Sequence, residues 1–269
     1  MKIQGKTTGL FGVVLTCMAM VACGKQEAPA QASTQQAPAQ VAVAAPAPEQ
    51  TPAHVLLYVE PGKTVPADLA TRLKEWKASG TLSNVILLDA FGGDLGEKED
   101  QPGFSGLAIL DFPNEAAYEG WKANGASSLG ADVVPSRVDV LLERRSKNND
   151  PSSSIYVVGE YESLVSPQAY KDYTDAYIDP NMSNQMFSGI MTRFTMYLER
   201  EPTGGRDNPK AVLVTEYANQ SEYARKSSVK DAYKAVLLSG THPEWARIND
   251  EKKNLRIDVG ETYANPVAL

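Results

Sequence analysis

One plan of strands and helices is written twice along this chain, and that repeat limits the available folds more than any other feature. The first copy opens with HVLLYVE at 54–60 and a helix over 66–80, where Leu69, Leu73 and Trp76 fall at helical spacing. NVILLDAF at 84–91 and GLAILDF at 106–112 follow as strands, then a helix capped by Asn114, then SRVDVLLERR at 136–145. The second copy opens with SIYVVGEY at 154–161 and a helix over 166–178, with Ser166 as cap and Pro167 at its first position. GIMTRFTMYLERE at 189–201 and KAVLVTEY at 210–217 are strands around a TGGRDNP turn. The helical QSEYARKSSVKDAYKAVLL and the strand LRIDVGETY at 255–263 complete it.

The copies align residue by residue. Val55, Leu57 and Glu60 match Ile155, Val157 and Glu160. Leu107, Ile109, Asp111, Asn114 and Tyr118 match Val212, Val214, Glu216, Asn219 and Tyr223. Arg137-Val138-Asp139-Val140 matches Arg256-Ile257-Asp258-Val259. A βαββαβ unit is ferredoxin-like: an antiparallel sheet with helices on one face and the other face in need of cover. Two such units in one chain can shelter each other's bare faces. The expected fold is α+β, with two tandem ferredoxin-like βαββαβ units (54–148 and 152–269) forming a pseudo-dimeric α/β barrel.

The segment AVLVTEYANQSEYARKSSVKDAYKAVLLSGTHPEWARIND…LRIDVGE, with Tyr217, Tyr223, Tyr233, His242, Pro243 and Trp245, resembles the dimeric α/β-barrel superfamily. That group includes the antibiotic-biosynthesis-monooxygenase-like and stress-responsive A/B-barrel families. In its haem-binding and cofactor-free members, a His near this helix ligates haem or shuttles protons, and the resemblance therefore points to His242. The local sequence argues otherwise: Ser239-Gly240-Thr241 before it and Pro243 after it read as a turn with an exposed ring.

Strand alternation sorts the remaining candidates by face. Ile155, Val157, Ile190, Phe194, Val212, Val214, Ile257 and Val259 are expected on the helix-packed side of the second unit. Tyr156, Glu160, Arg193, Thr195, Tyr197, Thr215, Arg256 and Asp258 are then expected on the inner side, with Tyr58, Glu60, Arg137 and Asp139 from the first unit. Facing one another, these groups form either a polar, Tyr-rich pocket for a small organic ligand or inter-sheet packing with paired charges and trapped water. Tyr156, Glu160, Arg193, Tyr197 and Arg256 are the candidate ligand-binding residues, and Arg193, Tyr197 and His242 the candidates for catalysis. Tyr170, Tyr173 and Tyr177 line either core or a gate over that lumen. Trp245 and the methionines from Met182 to Met196 read as core filling.

The N-terminus adds a location. Lys2 and Lys6 precede an apolar run from Leu10 to Ala22, about 13 residues and too short for a span of about 20. Met20-Val21-Ala22-Cys23-Gly24 resembles the bacterial lipobox. It implies a signal peptide over 1–22, lipidation of Cys23, and a membrane partner reached through that lipid. Gly24, rather than Asp, after the Cys resembles the enterobacterial sorting pattern, and that resemblance implies the outer rather than the inner membrane of the envelope, with the protein facing the periplasm. Residues 23–53 read as an Ala/Pro/Gln tether with too little apolar surface to fold. Cys17 leaves with the signal, so Cys23 alone remains and no disulfide supports the folded part.

Several function classes are disfavoured. Without Lys2 and Lys6 the mature chain has 24 basic against 33 acidic side chains, a net charge of −9 that suits neither nucleic acid nor anionic surfaces. Phosphate-loop, dinucleotide and nucleophile-elbow motifs are absent. Two distant histidines argue against a metal site, and no cofactor is expected. The leading expectation is a non-catalytic periplasmic module binding a small molecule or a partner. A cofactor-free monooxygenase or isomerase using the inter-sheet cavity is its rival, and a structural lipoprotein with a filled lumen is a third reading.

Overall fold

The computed structural model describes residues 51–94, 101–146 and 151–269. The signal segment, Cys23 and the tether through residue 50 lie outside the described residues. No helix among the described residues is long and apolar enough to cross a membrane.

The first half runs β1 (Ala53–Val59), α1 (Leu69–Ala78), β2 (Asn84–Asp94), β3 (Gly106–Phe112), α2 (Glu115–Asn124) and β4 (Val133–Arg145). The second runs β5 (Ile155–Ser163), α3 (Pro167–Tyr173), α4 (Asp179–Phe187), β6 (Met191–Glu199), β7 (Lys210–Tyr217), α5 (Gln220–Ala224), α6 (Lys226–Val236), α7 (Pro243–Glu251) and β8 (Arg256–Pro266). Within the halves the strand orders are β4-β1-β3-β2 and β8-β5-β7-β6. Each order leaves two edges of unpaired N–H and C=O groups. Those edges satisfy one another: β2 pairs with β8, β4 with β6, and eight antiparallel strands close into a barrel. The tandem ferredoxin-like barrel expected from the repeat is the observed fold.

Closure changes what lies inside. The sheets do not face each other across a gap but join edge to edge, and the interior is packed. Leu56, Leu107, Ile109, Val138, Val158, Val212 and Val214 fill it with Tyr58, Tyr156 and Tyr197. Val212 and Val214, expected against the helices, therefore face inward, while Thr215 faces the helix side. Under the helices lie two further cores, one around Leu69, Phe112 and Trp121, the other around Tyr170, Phe194 and Trp245.

Equivalent helices begin on equivalent caps. Asn114 Oδ1 accepts from Ala117 N at 2.9 Å, and Asn219 Oδ1 from Glu222 N at 3.0 Å. Each satisfies a backbone donor that the first helical turn leaves open. Asn114→Ala is expected to lower the unfolding free energy by about 1 kcal/mol, read from the urea midpoint at unchanged slope.

Candidate functional site

Register shows which residues the two halves place alike. Asp111 stands opposite His54 on β1 and Asn84 on β2, and Glu216 opposite Tyr156 on β5 and Arg193 on β6. Val138 stands beside His54 as Ala264 stands beside Tyr156. The RVDV and RIDV segments, alike in sequence, are thus not equivalent in the barrel. Arg137 and Asp139 lie outside, where Arg137 stacks on Tyr118 at 4.6 Å and ion-pairs Glu115, and Asp139 pairs with Arg200. Glu60 is exposed, and the barrel position equivalent to Glu160 is held by Tyr58, opposite Leu107 as Glu160 is opposite Val212.

The sequence-expected ligand set divides into three places. Tyr156, Arg193 and Tyr197 point into the barrel, with Tyr156 and Arg193 at one mouth. Glu160 points inward at the opposite end, where Lys210 Nζ sits 2.6 Å away, so its charge is already paired. Arg256 is outside the lumen, on the helix-packed face. The cause is a β-bulge. Glu160 pairs with Gly260 but Tyr161 with Asp258, so Val259 is an extra residue and the alternation of β8 reverses there. Arg256 and Asp258 go to the helix side with Tyr161, and Ile257 and Val259 are exposed instead of packed. His242 is exposed at the start of α7, across the sheet from Tyr197, so the three catalytic candidates do not converge.

The reversal puts Arg256 into a pocket of about 150 Å³ between the sheet of the second unit and its helices. The guanidinium, 9% exposed, lies 3.8 Å above the Tyr161 ring and 5.8 Å from that of Tyr173. Asp258 Oδ1 is 2.9 Å from Nε as an ion pair, while Nη1 is buried with no hydrogen-bond partner. Burial alone would disfavour the charge; the Tyr161 and Tyr173 hydroxyls and Asp258 outweigh it and hold the guanidinium protonated. On the opposite wall Asn181 Oδ1 is also buried and unpartnered. Lys226, Lys230 and Lys234, one face of α6, line the pocket with Lys252. The Lys252 pKa is pushed below the usual lysine value by burial and then by Arg256, Lys234 and Lys230. The neighbouring chain is irregular: single π-helical turns at Thr174–Ile178 and Leu237–Thr241 interrupt the helices over the pocket. Tyr177 stacks between Tyr173 at 5.4 Å and Trp245 at 4.7 Å, and Trp245 Nε1 donates to Tyr177 O at 2.9 Å. Tyr170, Tyr173 and Tyr177 therefore build the wall of this pocket and the core beside it, not a gate over the lumen.

Fold and pocket define a class: a single-chain α+β barrel of two ferredoxin-like units, with one cationic, tyrosine-walled pocket under the helices of the second unit. No family model matches the sequence, and no curated protein matches it. Solved structures do. A protein described as a monooxygenase from Fusobacterium nucleatum is 11% identical with a TM-score of 0.47, covering 82% of this chain and 94% of its own. An anthrone oxidase-like protein is 9% identical with a TM-score of 0.49, covering 82% and 93%. A dye-decolorizing peroxidase from Bacteroides thetaiotaomicron is 8% identical with a TM-score of 0.45, covering 79% and 92%. Likeness at these identities concerns the fold alone.

The residues around Arg256 do not fit a haem. Neither histidine lines the pocket, His54 being bonded to Asp111 at 2.8 Å in the other half. A volume of about 150 Å³ is the size of a single ring rather than a macrocycle. Among the described residues no three His, Cys, Asp or Glu side chains converge as metal ligands.

Proposed function

We propose that this protein is a small-molecule binding module whose ligand is a single-ring aromatic carboxylate held in the Arg256 pocket. The observation that carries this reading is a buried guanidinium with an unpartnered Nη1 on the wall of an aromatic cavity. A buried cation with an open donor is costly unless a ligand completes it, and a carboxylate matches the guanidinium fork. Asn181 Oδ1 would accept from a ring hydroxyl, and the lysines of α6 supply the field that draws an anion in. Binding is favoured over catalysis because the pocket offers no evident base. Burial raises the pKa values of Tyr161, Tyr177 and Tyr217 against the lowering pull of Arg256 on the first two and of the Thr215 hydroxyl on the third, and Glu261 is paired with Lys226 at 2.6 Å. A lipid on Cys23 would carry the module on the periplasmic side of the envelope, the outer membrane being favoured. Acyl labelling that is lost in Cys23→Ser tests that part separately.

Calorimetric titration of the full chain with benzoate, 4-hydroxybenzoate and benzylamine tests the pocket. Both carboxylates are expected to saturate and the amine not to bind. Arg256→Leu is expected to weaken benzoate about tenfold or more. Equal benzoate affinity in folded Arg256→Leu would overturn the reading.

Lys252 gives the site a pH signature. Its depressed pKa means the ammonium deprotonates earlier than an ordinary lysine. Affinity for benzoate is therefore expected to fall as pH rises through that pKa, and binding to take up protons, since the anion favours the charged form. Lys252→Met is expected to flatten the alkaline limb of the affinity profile, measured by titration in buffers of different ionisation enthalpy.

A further inference from the structure

The mouth of the barrel at Tyr156 and Arg193 is a second feature, on the other side of the sheet from Arg256. It opens into a cleft of about 390 Å³. The pseudo-two-fold gives it an internal control. In the first half the acid at this position, Asp111, is held by neighbours on β1 and β2: Oδ1 lies 2.8 Å from His54 Nδ1, and Oδ2 takes Asn84 Nδ2 at 2.9 Å. In the second half the equivalent acid is Glu216, which accepts from Ser154 Oγ at 2.9 Å and from the Tyr156 hydroxyl. The position of Asn84 is taken by Arg193, whose Nη2 turns to Glu143 at 3.0 Å across the β4–β6 junction. One half thus closes its acid with a neutral amide, while the other sets a guanidinium, 10% exposed, beside a buried carboxylate on the wall of a cleft. Arg145 and Lys77 add two exposed cations at the rim, and Ile86 and Val267 an apolar side.

We infer that this cleft binds a small aliphatic carboxylate carrying a hydroxyl group next to its carboxyl carbon. The carboxylate would lie against Arg193 under the field of Arg145 and Lys77, the hydroxyl would donate to Glu216, and a short alkyl arm would rest on Ile86 and Val267. A guanidinium recognises the planar anion in two-point fashion. A carboxylate accepts several hydrogen bonds, so Glu216 can take the ligand hydroxyl beside those of Ser154 and Tyr156, a bond that an acid without the hydroxyl does not make.

Titration of the full chain with 2-hydroxy-4-methylpentanoate and with 4-methylpentanoate, followed by backbone amide shifts, tests this. The hydroxy acid is expected to saturate and to bind about fivefold tighter than its deoxy counterpart, with shifts at 84–87, 156, 193 and 216. Glu216→Gln is expected to reduce that preference, and Arg193→Gln to weaken both acids about tenfold. Arg145→Gln, at the exposed rim, is expected to weaken both about threefold and keeps the test decisive if either buried variant does not fold. Arg256→Leu is expected to leave the hydroxy acid affinity unchanged, which separates this site from the aromatic pocket. Equal affinity for the two acids, shifts confined to the Arg256 pocket, or no saturable binding would each overturn the inference.

Discussion

A Glu199→Ala chain is expected to unfold at much lower urea than the parent, having lost about 3–5 kcal/mol. The Glu199 side chain is 1% exposed. Its oxygens accept from Ser136 Oγ at 2.7 Å, Thr203 Oγ1 at 2.9 Å, Arg206 Nη2 at 2.6 and 2.8 Å, and the Lys210 backbone N–H at 2.7 Å. Removing the carboxylate strands all four donors. Arg206 suffers most, because its Nη1 already lacks an acceptor and its charge would lose its counter-ion in a mostly buried place. Glu199 pairs in register with Val138, so the loss falls on one of the two seams that close the barrel. The double replacement Glu199→Leu with Arg206→Met removes both charges together and is expected to recover most of the stability. By contrast Arg247, with Glu244 and Glu251 on the exposed face of α7, is expected to be replaceable without moving the midpoint. An unchanged midpoint for Glu199→Ala would mean the seam is held by backbone pairing alone.

The strands were legible because apolar residues survive alternation wherever a strand is covered on at least one face. GLAILDF at 106–112 is marked as a strand by its apolar run and is β3 to the residue. Two helices leave no clear mark in the sequence. In α4, DPNMSNQMF carries too few apolar residues to mark a stripe, and a π-helical turn joins it to α3. In α7, PEWARINDE buries only Trp245 and Ile248, so its start looked like a turn.

Side-chain direction was less legible than strand position, for a specific reason. Alternation counted from Leu255 sends Arg256 inward, and only the extra residue Val259 sends it out. The local mark of that irregularity was Gly260, since glycine inside a strand often accompanies a bulge. In β4, similarity of RVDV to RIDV outweighed register, and a match between short alternating segments carries little positional information. The filling of the lumen is set at a higher level than the single strand. Alternation along one strand gives its own polar positions, but the fill of a closed eight-stranded barrel depends on all strands at once, and Leu56, Ile109, Val138 and Val214 close the middle.

Tyr197 is where packing and chemistry make opposite forecasts. The ring is 1% exposed inside the barrel, among Val212, Val214 and Val138. Its barrel equivalent in the first half is Leu88, opposite Leu107 as Tyr197 is opposite Val212. Where one half uses an aliphatic side chain, the other needs bulk rather than a hydroxyl. Tyr197→Ala is therefore expected to cost about 3–5 kcal/mol, as for other buried aromatic truncations. Tyr197→Phe keeps the ring and loses the hydroxyl's bond to Thr195, a cost of about 1 kcal/mol. Tyr197→Leu, importing the first half's solution, is expected to fall between them. A catalytic or ligand-holding tyrosine would order these variants differently: Phe would keep the stability and lose the function. Tyr197 lines neither the Arg256 pocket nor the barrel-mouth cleft. Tyr197→Phe is accordingly expected to match the parent in the benzoate and hydroxy acid titrations, while Tyr197→Ala shifts its urea midpoint far below both.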